Sequence, residues 1–238
     1  MAAKLDVSVV VPLYNECESL PELMAWIDRV CSGEKLSYEV IMVDDGSNDG
    51  SWEVVEQLKE QYGDKLRAIH FMRNYGKSAA LYCGFEAAEG EVVFTMDADL
   101  QDPPALLPEM VRYIEEEGYD SVATRRVTRK GEPPIRSFFA RMFYKLINRM
   151  SDADIVDGAR DFQMMSRKVV DAILSMGEYN RFSKGIFSWV GFETYYMPYV
   201  ANKRNAGKSA WTFKKLYKYA FEGFLSFTTF PLKIASVL

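Results

Sequence analysis

Asp97 and Asp99 stand one residue apart in the segment Asp97-Ala98-Asp99, just after the apolar run Val92-Val93-Phe94-Thr95-Met96, and Gln101 follows two residues later. A short apolar run of this kind reads as a buried strand, which puts both carboxylates at a strand terminus, able to face one cleft. Hard divalent cations such as Mg or Mn take oxygen ligands. Asp99 and Gln101 are the direct candidates for that role, and Asp97 falls close to a ribose or to the shell of the ion. Such an ion neutralises a departing diphosphate. Asp-rich turns after strands are common, so the neighbouring segments decide the matter.

The elements that must position these residues are legible over the first 125 positions. Strand-like runs at Val7–Val11, Val40–Val43, Leu66–Phe71, Val92–Met96 and Ser121–Ala123 alternate with helical patterns at Leu20–Val30, Trp52–Tyr62, Ser78–Ala88 and Ala105–Glu116. Ser19-Leu20-Pro21-Glu22 reads as a capping box opening the first helix. This alternation predicts an α/β fold, a mostly parallel sheet with helices on both faces. Ligands of such sheets bind beyond the carboxyl ends of the strands. That rule selects Pro12–Glu16, Asp44–Ser47 and Asp97–Gln101, all rich in polar residues. Asp44 and Asp45 precede a glycine turn, where a carboxylate can accept hydrogen bonds from a base or a ribose; capping the next helix is the alternative, a task for which Asp49 also qualifies.

Beyond residue 125 the expected elements are a basic amphipathic helix at Arg136–Arg149, a strand at Phe162–Ser166, a helix at Arg167–Met176 and a strand at Thr194–Val200. Residues 1–211 read as one catalytic domain and 212–238 as an amphipathic juxtamembrane helix. Leu216, Tyr217, Ala220, Phe221, Phe224, Leu225 and Phe227 recur at helical spacing beside Lys214, Lys215 and Lys218. That pattern suits a helix lying in a membrane interface, or equally one packed on its own domain. Phe224–Leu238 contains Lys233 and falls short of the roughly 20 residues a membrane span needs, so the expectation is that membrane segments follow.

Composition narrows the classes. The 238 residues are 48% apolar and 26% charged, which excludes global disorder, and the net charge of -5 argues against a nucleic-acid binder. Charge is uneven, however. Arg125–Arg149 holds eight Lys or Arg against one Glu, and Lys203–Lys218 holds six with no acid. These stretches suit a phosphate-rich partner or an anionic membrane surface; solvated faces are the plainer alternative. Arg125, Arg136 and Arg204 are candidate phosphate clamps, because guanidinium offers paired donors to phosphate oxygens, although Arg136 equally fits a helix-surface charge. Cys17, Cys31 and Cys83 form no disulfide pattern, and one histidine, His70, with no Cys-x-x-Cys gives no zinc site. Gly76-Lys77-Ser78 and Gly207-Lys208-Ser209 mimic a phosphate-binding loop, but the glycines required five residues before each Gly are Phe71 and Asn202.

Val9-Val10-Val11-Pro12-Leu13-Tyr14-Asn15-Glu16, Val43-Asp44-Asp45-Gly46-Ser47 and Asp97-Ala98-Asp99, in this order and spacing, resemble the three donor-site motifs of family-2 glycosyltransferases with the GT-A fold. Arg73-Asn74-Tyr75-Gly76-Lys77, Asp99-Leu100-Gln101-Asp102-Pro103-Pro104, Asp161-Phe162-Gln163 and Arg204-Asn205-Ala206-Gly207-Lys208-Ser209 further resemble the branch that glycosylates a polyprenyl phosphate. Ala123-Thr124-Arg125 and Ser209-Ala210-Trp211 depart from that branch's Gly-Ser-Arg and Ser-Lys-Tyr. The resemblance implies metal-dependent, inverting transfer from a nucleotide-diphosphate sugar, using Mg or Mn, at the cytoplasmic face of the plasma membrane. It implies donor contacts at Pro12, Tyr14, Glu16, Asp44, Asp45, Lys77, Asp97 and Ala98. Asp161 and Asp97 fall at the reacting centre, Asp99 and Gln101 at the metal, and Arg125, Arg136 and Arg204 at phosphate. Two other functions remain open: a transferase extending a surface polysaccharide on a hydroxyl, and a nucleotide-sugar-binding subunit without turnover.

Overall fold

The computed structural model describes residues 5–126, 156, 158–176 and 183–199. Over these the chain runs β1 (Val7–Leu13), α1 (Leu20–Gly33), β2 (Tyr38–Asp44), α2 (Ser51–Tyr62), β3 (Leu66–His70), α3 (Lys77–Ala87), β4 (Val92–Thr95), α4 (Leu107–Glu115), β5 (Ser121–Arg126), β6 (Ala159–Ser166), α5 (Arg167–Ser175), α6 (Ser183–Trp189) and β7 (Thr194–Tyr199). The expected basic helix at Arg136–Arg149 and the juxtamembrane region 212–238 lie outside the described residues.

The seven strands form one sheet in the order β3-β2-β1-β4-β6-β5-β7. β3, β2, β1 and β4 are mutually parallel, and β5 pairs parallel with β7. β6 runs antiparallel to both its neighbours, β4 and β5. The mostly parallel α/β sheet is therefore as expected, with one reversed strand inserted between β4 and β5.

β1 and β2 are buried along their whole length, which is why their sequences read as continuous apolar runs. Successive side chains point to opposite faces and meet separate cores. Val7, Val9, Val11, Val40 and Met42 pack with Leu23 and Ile27 of α1 and Met110 of α4. Val10, Ile41 and Val93 pack with Leu81 and Phe85 of α3 and Val170 and Ile173 of α5. Each such side chain contributes roughly 1.5–3 kcal/mol on burial. Gly84 allows α3 to lie close on β1, since a Cβ there would stand 2.3 Å from Val10 Cγ1.

Two local expectations are corrected. Ser19 does not cap α1 through its side chain; its hydroxyl donates back to the Glu16 carbonyl at 2.9 Å. The strand expected from Phe162 begins three residues earlier, at Ala159, and this brings Arg160 and Asp161 into the sheet.

Candidate active site

Three loops at the carboxyl edge of the parallel strands are tied to one another. Asn15, at φ 56°, turns the chain after β1. Its amide donates to Ser47 Oγ at 2.9 Å, its side-chain oxygen accepts from Asn48 N at 2.9 Å, and Glu16 N donates to Ser51 Oγ at 2.9 Å. Asp49 takes the capping role, accepting from Ser51 N at 3.0 Å. Asp44 is fully buried; one of its oxygens accepts from Ser47 N and Oγ, and the other meets His70 Nδ1 at 2.8 Å. The Asp45 carboxylate receives the amides of Tyr75 at 2.6 Å and Gly76 at 2.9 Å. Burial pushes its pKa up, and these two amides act in the opposite direction. Gly46 has φ +71°, and a Cβ there would lie 2.6 Å from the Arg73 carbonyl carbon, so the second loop presses directly on the segment 73–76. The carboxylates of Asp44 and Asp45 thus brace the loops. Pro12 is buried in β1, while Tyr14 and Glu16 are half-buried at its end.

The segment 97–102 alternates in exposure. Asp97, Asp99 and Gln101 are half-buried at the opening, while Ala98, Leu100 and Asp102 point inward. Leu100, at φ +59°, makes the sharp turn that lets Gln101 N donate to Asp99 Oδ1 at 3.2 Å. Asp99 and Gln101 therefore stand at the opening as two oxygen-bearing side chains, the Gln101 oxygen also accepting from Arg160 Nη2 at 3.4 Å. Among the described residues no three His, Cys, Asp or Glu side chains gather into a metal site. An ion held by Asp99 and Gln101 would complete its shell from water and substrate phosphate, as Mg and Mn sites on nucleotide substrates do, and the donor set fits that use.

β6 carries the rest. Because it runs antiparallel, its first residues, not its last, reach the carboxyl edge of β4. Arg160 and Asp161, its second and third residues, point to opposite faces. Asp161 meets Lys77, the first residue of α3, whose Nζ lies 2.6 Å from Asp161 Oδ2 and 2.5 Å from Asp97 Oδ1. Thr95 Oγ1 donates to the Asp161 carbonyl and fixes the backbone there. Burial works against the Lys77 charge, but Asp161 and Asp97 together outweigh it and hold the ammonium above its ordinary pKa.

On the other face Arg160 Nη2 donates to Gln101 Oε1 at 3.4 Å and lies 3.7 Å from Asp102 Oδ2. Tyr199 at the end of β7 donates its hydroxyl to Asp102 Oδ1. Burial pushes the Asp102 carboxyl up to about 6, against the pull of Arg160. Arg160, Asp102 and Tyr199 were not singled out from the sequence.

The structure thus brings together Lys77, Asp97, Ala98, Asp99, Gln101 and Asp161, with the Asp44–Asp45 loop braced alongside through Tyr75 and Gly76. Arg125 lies exposed near the end of β5. Arg136 and Arg204 lie outside the described residues. An ammonium between two carboxylates, beside the oxygens of Asp99 and Gln101, leaves this strand edge net anionic, so it would take a phosphate ester only together with a bound cation.

Comparison with known proteins bears on what that ester is. A glycosyltransferase of Synechocystis sp. is 39% identical over 236 residues, covering 98% of this chain and 73% of its own length. A bactoprenol glucosyl transferase of Shigella phage SfV is 36% identical over 231 residues, 97% of this chain and 74% of the relative. Among solved structures, a mannosyltransferase of Pyrobaculum calidifontis in complex with GDP-Man and Mn2+ superposes with a TM-score of 0.61 at 20% identity, over 87% of this chain and 59% of that one; the likeness confirms the GT-A-like fold. Residues 8–174, from β1 through α5, match glycosyl transferase family 2 and include every described side chain of the cluster except Tyr199. On that match and those identities, the chain belongs to glycosyl transferase family 2 and is a glycosyltransferase.

Proposed function

We propose that this enzyme transfers a sugar from a nucleotide-diphosphate sugar to a polyprenyl phosphate, with inversion at the anomeric carbon. The observation that carries this reading is the site itself: Lys77 joins Asp97 and Asp161 within 2.6 Å, beside the Asp99–Gln101 oxygen pair. The similarity to bactoprenol glucosyl transferases supports the acceptor.

In this reading Pro12, Tyr14 and Glu16, with the Asp44–Asp45 loop, form the nucleoside end of the donor site. Asp97 and Ala98 lie under the ribose and diphosphate, with Lys77 paired to Asp97 beside them. Asp99 and Gln101 hold Mg or Mn, which when bound offsets negative charge on the leaving diphosphate. Arg125, with Arg136 and Arg204, receives phosphate, and their guanidinium groups relieve repulsion between acceptor and donor phosphates. One acceptor phosphate oxygen forms a bond to the anomeric carbon as the bond from that carbon to the diphosphate oxygen breaks. The nucleotide diphosphate departs with the electron pair. A lipid phosphate is already anionic at neutral pH, so Asp161 orients the reacting groups; a hydroxyl acceptor would need it as a general base. The basic amphipathic segments then rest on the cytoplasmic face of the membrane, with residues 212–238 as the interfacial helix and 1–211 as the catalytic domain.

Titration of this chain with UDP- and GDP-sugars, with and without Mn, tests the donor half of the reading. Binding that needs Mn and is lost in Asp99→Ala is the expected result. Equal binding without metal, or by Asp99→Ala, would contradict it.

A further inference from the structure

We infer that Lys77 is a positioning residue that acts on the reaction through Asp161, and not chiefly as a ligand of the donor. The inference rests on the reading of Asp161 as a residue of the reacting centre and gives Lys77 its task there.

Lys77 begins α3 directly after Gly76, whose φ of +97° turns the chain into the helix. Its position is fixed from both sides: Asp45 holds the Gly76 amide, and α3 is seated on β1 through Gly84. The Lys77 ammonium is therefore delivered by a rigid helix start, unlike that of a surface lysine. Its two partners come from strands of opposite direction, Asp97 from just past the end of β4 and Asp161 from near the beginning of β6. Two carboxylates brought this close repel one another unless a cation lies between them. The Asp161 side chain is 12% exposed and that of Lys77 32%, so their attraction is only partly screened by water. Arg160, the adjacent basic residue in sequence, points to the other face and is engaged with Gln101 and Asp102. Lys77 is thus a cation placed to hold the Asp161 carboxylate in its aim.

A double-mutant cycle tests this. Lys77→Met is expected to lower kcat on the order of a hundredfold, the cost of misplacing a group at the reacting centre, while donor KM changes by less than about threefold. In an Asp161→Asn background the same substitution should cost less than about threefold further, because the group it positions is already gone. Lys77→Arg, which keeps the charge, should restore a large part of the lost kcat.

Additive losses, or a rise in donor KM of on the order of a hundredfold with kcat preserved, would overturn the inference in favour of direct donor binding. Should Lys77→Met alone fail to fold, Asp161→Asn and the double variant still carry the comparison, since the double variant removes one of the two repelling carboxylates. The cycle is run with whichever acceptor the wild type uses, prenyl phosphate or oligosaccharide. A wrong acceptor therefore overturns the proposed function and leaves the test of Lys77 intact; absence of turnover on every acceptor overturns both.

Discussion

The sheet carries an ionic cluster at each edge, and the two are built to opposite ends. At the amino edge Glu39 is 3% exposed and accepts from Ser8 Oγ at 2.6 Å, Glu89 N at 2.8 Å and Arg67 at 3.1 Å. Ser8 Oγ in turn accepts from Gly90 N at 2.7 Å. Both Glu39 oxygens are engaged inside the protein, so this cluster locks the starts of β1, β2 and β3 to the turn before β4. At the carboxyl edge Asp97 and Asp161 share one ammonium, and Asp97, Asp99 and Gln101 stand half-open at the mouth. The same residue types stabilise the fold where they are closed and saturated, and remain available to a substrate where they are open.

Four substitutions break or sharpen this contrast. Asp99→Ala should have the largest effect, lowering transfer by on the order of a thousandfold and abolishing Mn-dependent donor binding while thermal stability is unchanged; turnover assays and calorimetry read both. Asp161→Asn should lower turnover by about a hundredfold with donor affinity preserved, read from kcat and KM. Glu39→Ala should do the reverse. Leaving the Glu89 amide and the Ser8 hydroxyl without their acceptor, and taking from Arg67 one of its partners, costs about 3 kcal/mol in a urea unfolding curve, with donor affinity unchanged. The smallest effect belongs to Tyr199→Phe, which removes the hydroxyl donated to buried Asp102. Its expected cost is about 1–2 kcal/mol of stability, with Mn-dependent donor binding retained.

The four parallel strands were legible because each is a short apolar run, and α1, α2 and α4 because their apolar residues recur at about 3.6-residue spacing. The strand-end rule then pointed to the edge where Lys77 and Asp97 meet. It could not point to Asp161, since that rule looks past the ends of strands and Asp161 sits near the start of a reversed one; only its resemblance to a known motif marked it. Nothing in the sequence says that Arg160 and Asp161 face opposite ways, because the strand expected there began at Phe162. Asp44 and Asp45 looked like ligand carboxylates, yet Ser47, His70, Tyr75 and Gly76 engage them within the fold. Their partners lie as far as 31 residues away in sequence, beyond any local pattern. Helix α6, at seven residues, is too short for its periodicity to stand out.

The central claim is transfer to a lipid phosphate, and one assay meets it most directly. The chain is incubated with Mn, radiolabelled UDP- or GDP-sugar and a short polyprenyl phosphate, and organic-phase label is counted beside a parallel reaction with oligosaccharide acceptors. The account predicts Mn-dependent label in the lipid fraction, in a product of inverted anomeric configuration. Transfer to oligosaccharide with none to the prenyl phosphate, or a product of retained configuration, would contradict it.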